Sequence, residues 1–88
     1  MNIYQTTIHA RCPFAPVWDY YQATLETRKF VQVEEFEACC EKIRGVQMSQ
    51  EDIGTELKRA IDANFPGLIF SLTVTGQHGT NCKTVVKR

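Results

Sequence analysis

The sequence predicts an α+β domain in the order strand, strand, helix, helix, strand, strand, a four-stranded antiparallel sheet with both helices on one face. Three observations carry this expectation. Two stretches near the start and two near the end alternate apolar and polar residues, as half-buried strands do. Between them the apolar spacing changes to three and four, the repeat of a helix buried along one stripe. Proline or glycine punctuates most of the joins.

Residues 3–11 place Tyr4, Ile8 and Ala10 on one face and Gln5, Thr7, His9 and Arg11 on the other, with Cys12 continuing the apolar parity. Beyond Pro13 and Pro16, residues 17–28 set Val17, Tyr21, Ala23 and Leu25 against Gln22, Thr24, Glu26 and Arg28. Asp19 falls on the apolar side, between Val17 and Tyr21. The short connection makes the pair an antiparallel hairpin. From Val33 the residues Val33, Phe36, Cys40 and Ile43 follow at helical spacing, and Gly45 stands where a helix end favours a left-handed residue, which gives a helix of about three turns. Ser49 then precedes Gln50, Glu51 and Asp52 as an N-cap, and Ile53, Leu57, Ala60 and Ile61 form a stripe that Pro66-Gly67 ends. Residues 68–75 alternate with Leu68, Phe70, Leu72 and Val74 on one side, G-Q-H-G-T (76–80) is expected to turn, and N-C-K-T-V-V-K forms the last strand. With sequential strand order, the tips at 12–16 and 76–80 share one end of the sheet, and the Cys12 loop neighbours the His78 loop.

Eighty-eight residues with 43% apolar content suffice for one domain spanning 1–88, whose small core is the kind that oligomerisation supplements; a homo-oligomer is expected. Ten basic and ten acidic residues cancel, so no general positive field draws in nucleic acid, and none is expected as a partner. No apolar run approaches the roughly 18 residues of a membrane span, and the start lacks the pattern of a signal peptide, so no membrane association and a cytoplasmic location are expected. A reducing compartment leaves Cys12, Cys39, Cys40 and Cys82 as free thiols. His9, Cys12, His78 and Cys82 offer enough donors for zinc, yet strand parity sends His9 and Cys12 to opposite faces, and zinc is not expected.

Chemistry concentrates in R-C-P-F-A-P-V-W-D, Arg11 to Asp19. A thiol is nucleophilic as thiolate, and a carboxylate on an apolar parity, costly unless paired or set at a rim, suits proton transfer. A plainer reading makes Cys12 a small apolar residue and the prolines stiffeners of a hairpin tip. Glu51 likewise has two readings: an acid in a first helical turn is stabilised by the helix dipole, and a carboxylate can also receive paired N–H donors from a guanine-like edge. Asp52 reads as a cap.

The element order at this length resembles the tunnelling fold (T-fold), shared by GTP cyclohydrolase I, dihydroneopterin aldolase, 6-pyruvoyltetrahydropterin synthase and the nitrile reductase QueF. The resemblance implies subunits that join their sheets into a barrel and bind a purine-like or pterin-like ring between them; Trp18 and Tyr20 would face the barrel interior or a neighbouring subunit. C-P-F-A-P-V-W-D resembles the QueF pattern of Cys-Pro, five residues and Asp, which implies Cys12 as the nucleophile that attacks a nitrile carbon and Asp19 as the group that handles its proton. S-Q-E-D-I resembles the His-Glu-Asp segment of QueF and the Gln-Glu-Arg-Leu segment of GTP cyclohydrolase I, which implies Glu51 as the ring anchor. His78 is a further candidate for contact with the substrate.

Two departures shape the reading. Gln50 stands where QueF has histidine, and V-Q-V-E-E-F stands where QueF has the glutamate-serine-lysine-serine signature associated with NADPH, so the cofactor is left open. The archaeal QueF-like amidinotransferases keep the cysteine chemistry without that signature. The implied function is a QueF-like enzyme acting on a 7-deazaguanine nitrile or related ring; the alternatives are pterin or GTP chemistry of the cyclohydrolase or aldolase kind, and a non-catalytic oligomeric binding module.

Overall fold

The first two strands form because alternation lets each bury one face while pairing its backbone with the other. In the computed structural model, which describes residues 1–78 and 80–88, β1 (Asn2–Arg11) and β2 (Trp18–Thr27) pair antiparallel from Asn2 opposite Thr27 to Arg11 opposite Trp18. Helices α1 (Val33–Glu41) and α2 (Gln50–Asn64) follow, then β3 (Phe70–His78) and β4 (Cys82–Lys87). The sheet order is β1-β2-β3-β4, antiparallel throughout.

One face of the sheet supplies Ile8, Ala10, Tyr21, Ala23, Leu25, Leu72 and Val74 to a core completed by Phe36, Cys39 and Cys40 of α1 and Ile53, Leu57 and Ile61 of α2. Both helices therefore cover the same face, as the alternation required. The opposite face carries Ile3, Trp18, Tyr20 and Val85 exposed.

Local signals placed α2 well. The Ser49 hydroxyl accepts from the Asp52 backbone N–H at 3.2 Å, and Gly67, with φ of +79°, turns the chain after the helix. Helix α1 is shorter than expected: it ends at Glu41, Ile43 lies buried in the turn beyond, and Val33 is exposed while Cys39 takes its place in the core. The buried stripe of α1 therefore begins at Phe36. Gly45 adopts φ of +80° and its N–H meets the His9 carbonyl at 2.9 Å. The chain then runs along the free edge of β1, Arg11 N–H to Val46 C=O at 3.0 Å and Met48 N–H to Arg11 C=O at 3.1 Å, in a short parallel bridge. Arg44 fastens the same edge by donating to the Thr7 carbonyl, the Thr6 hydroxyl, Glu37 and Glu41.

Several strand limits differ from expectation by one to three residues. Val17 is exposed in the loop rather than on the core face of β2, and β3 begins at Phe70 rather than 68. Gly76, Gln77 and His78, expected to turn, continue β3 and pair with Thr84, Lys83 and Cys82. Among the described residues no helix is long and apolar enough to cross a membrane.

All four thiols are free, Cys39 and Cys40 buried, Cys12 half-buried and Cys82 exposed. Burial pushes the Cys40 thiol up to about 12, and raises that of Cys39 as well. A raised value means the fold favours the neutral thiol, a stabilisation complete below the ordinary thiol range and lost as pH climbs through about 12. Iodoacetamide at pH 8 is therefore expected to label Cys12 and Cys82 in the folded protein and all four cysteines in denaturant, as intact mass and peptide mapping will read.

Candidate functional site

The register assembles one end of the sheet. Asp19 lies opposite Ala10, Tyr21 opposite both Ile8 and Gly76, and His78 opposite Cys82. Ile8, Ala10, Tyr21 and Gly76 all share the helix-facing side, and Asp19 and His78 continue its period. The N-terminus of α2 arrives over the same end. Together they line an open cavity of about 420 Å³, whose walls include Cys12, Asp19, Tyr21, Gln50, Glu51 and His78. The four residues expected from sequence thus meet in one cavity, although they come from a loop, two strands and a helix. A slightly larger groove at the opposite end, about 460 Å³, is lined by Met1, Ile69 and Phe70 together with polar residues such as Glu26 and Lys29, and no cysteine is among its lining residues.

Cys12 sits just past β1, where its backbone N–H donates to the Val17 carbonyl at 3.0 Å and the Val17 N–H to the Ala15 carbonyl at 2.8 Å. With Pro13 and Pro16 restricting φ, these bonds hold the thiol at the rim, half-buried. Asp19 is half-buried within β2, as the second residue of the strand. The Tyr21 hydroxyl donates to Asp19 Oδ2 at 3.3 Å. Burial first, then the charge and hydrogen bond of Asp19 and the nearby Cys12, push the phenol up to about 12, so Tyr21 keeps its proton at neutral pH and acts as a donor.

Gly76 makes room for that ring. A Cβ there would stand 2.7 Å from Tyr21 Cδ1 and Cε1, well inside van der Waals contact.

Gln50 is the residue that seats α2. Its side chain is buried; Nε2 donates to the Val74 carbonyl at 2.9 Å and the Thr84 carbonyl at 3.1 Å, and Oε1 accepts from the Thr84 hydroxyl at 2.6 Å. It clamps the helix N-terminus, and with it Glu51, to the β3–β4 hairpin. Gln50→Ala removes these three hydrogen bonds, leaving the Thr84 hydroxyl its long 3.4 Å bond to the Gly76 carbonyl, and is expected to cost about 1–3 kcal/mol, checked by urea denaturation. Glu51 and His78 are exposed at the cavity wall, free to meet a ligand.

His9 points the other way, into the open sheet face, with its ring 5.6 Å from Trp18 and 6.3 Å from Tyr20; Arg11 lies 6.0 Å over Trp18. Among the described residues no three His, Cys, Asp or Glu side chains converge as a cation site.

Sequence reading missed three contributors to this site. Tyr21 read only as core, Gly76 as a turn residue and Gln50 as a neighbour of Glu51. One signal was available: a glycine on the core parity of a strand marks a place where something large lies against the backbone.

No family model matches the chain, and no curated protein matches it in sequence. Among solved structures, the crystal structure of the archaeosine synthase QueF-Like in the apo form aligns with a TM-score of 0.75 at 19% identity, over 98% of this chain and 90% of that one. Four antiparallel strands carrying two helices on one face, superposable over nearly the whole chain on that enzyme, show that this chain has the T-fold.

Proposed function

We propose that the chain is a QueF-like enzyme that binds a 7-deazaguanine nitrile, or a closely related purine-like ring, and attacks it through Cys12. The convergence of Cys12, Asp19, Glu51 and His78 on one cavity carries this reading. Sulfur adds to the nitrile carbon, one carbon–nitrogen π bond breaks, and the thiol proton passes by way of Asp19 to the nitrile nitrogen, giving a thioimide with no oxidant or reductant consumed. Glu51 accepts from the ring's N–H donors and His78 contacts the ring edge from the facing hairpin.

The structurally similar protein is an archaeosine synthase, and this chain lacks the sequence associated with NADPH in the reductases, which together favour adduct formation over reduction. The balanced charge favours a free base over one carried in a polynucleotide. Assembly as a homo-oligomer belongs to the same reading: Ile3, Trp18, Tyr20 and Val85 leave an apolar face of the sheet exposed in the single chain. The test is mass spectrometry after incubation with 7-cyano-7-deazaguanine, native for subunit count and denaturing for covalent mass. One ligand mass retained on the denatured chain supports the reading. A mass unchanged at saturating nitrile, in a protein that binds the ring reversibly, makes it a binding module instead.

A further inference from the structure

We infer that Tyr21, seated by Gly76, is the positioning residue for Asp19 in the proposed addition step; this rests on the reading of Cys12 and Asp19 given above. Tyr21 and Asp19 are two residues apart on one strand, so both side chains leave the same face. A tyrosine in that arrangement need not touch its neighbour. Here the strand opposite carries Gly76, and the ring occupies the space where a Cβ would otherwise stand 2.7 Å from two of its carbons. The ring is 4% exposed, locked by packing, and its hydroxyl ends 3.3 Å from Asp19 Oδ2.

A phenol has one proton to give, and giving it to Oδ2 fixes the plane of the carboxyl group. The remaining oxygen, Oδ1, then handles the proton that moves from Cys12 to the nitrile nitrogen. Tyr21 itself stays protonated throughout and touches no reacting atom. Without its hydroxyl the carboxyl group is free to rotate, and a misplaced proton donor slows the step while leaving the ring-binding contacts of Glu51 intact. Gly76 belongs to the same device, because any side chain at 76 displaces the ring and takes the hydroxyl from Asp19.

Tyr21→Phe keeps the packing and removes the hydrogen bond. With 7-cyano-7-deazaguanine in single-turnover conditions, followed by intact mass, its adduct rate is expected to fall by about tenfold to a hundredfold. Reversible affinity, measured in a Cys12→Ala background with and without Tyr21→Phe, is expected to stay the same within about twofold. Gly76→Ala is expected to lower the rate similarly, and to add little when combined with Tyr21→Phe, since both act through one hydrogen bond. Wild-type rates in Tyr21→Phe, or losses of affinity and thermal stability that account for the slower rate, overturn the positioning role and leave the Cys12 reading standing. Absence of any adduct in the wild type overturns that reading, and this one with it.

Discussion

Cys12→Ala is expected to abolish covalent capture: incubated with 7-cyano-7-deazaguanine under the conditions in which the proposal has the wild type gain one ligand mass, the variant should keep its own mass. The argument is one of location and supply. Cys12 is the single thiol in the cavity wall; Cys39 and Cys40 are buried under the helices, and Cys82, though exposed, is not among the residues that line it. The side chain is half-buried at a loop, outside the core, so its loss is expected to move stability by no more than about 0.5 kcal/mol. A fold-preserving substitution that removes the adduct therefore reports on chemistry. Cys82→Ala serves as the control and is expected to form adduct at the wild-type rate. Adduct on Cys12→Ala, lost instead in Cys82→Ala, moves the nucleophile to β4 and sinks the proposal.

The largest expected effect on stability is Phe36→Ala. Phe36 is 1% exposed, the largest fully buried side chain, and its ring meets Tyr4 at 6.2 Å between centroids. Tyr4 in turn accepts the Val31 N–H on its hydroxyl at 2.9 Å, so this aromatic pair ties the approach to α1 onto β1. Removing the ring loses its transfer free energy and leaves a cavity in the core, a loss of about 3–5 kcal/mol. Against a total of about 5–15 kcal/mol for a domain, that leaves a marginal fold. In urea, where small proteins lose about 1–3 kcal/mol per molar, the midpoint is expected to drop by 1 M or more with an unchanged slope, roughly as that quotient gives. A loss below about 1 kcal/mol would show that α1 is not integral to the core.

How far each feature could be read from sequence depended on the distance over which it is determined. Helix α2 was legible because its determinants are local: Ser49 caps it, the stripe of Ile53, Leu57 and Ile61 buries it, and Gly67 ends the turn beyond it. Cys12 and Asp19 were legible through strand parity, and their proximity to His78 through the sequential order of four strands. Gln50 was not, because its partners are backbone carbonyls 24 and 34 residues away that no spacing rule reveals. Gly76 misled for a different reason. Glycine beside Gln-His-Gly-Thr has the composition of a turn, while its use here is steric, and only the ring across the strand discloses that. Val33 and Val17 were misassigned for want of boundary information: each carries the right parity or spacing but lies at the first residue of its element or just before it, and is exposed there.

Trp18 is the only tryptophan in the chain, adjacent to Asp19 at the mouth of the Cys12 hairpin, with the His9 ring edge-on at 5.6 Å and Arg11 6.0 Å above it. The protein thus carries its own fluorophore at the foot of the Cys12 loop. A rearrangement of the hairpin on the proposed ligand capture would shift the indole against His9 and Arg11, and its emission would give a real-time, label-free trace of that event in stopped flow.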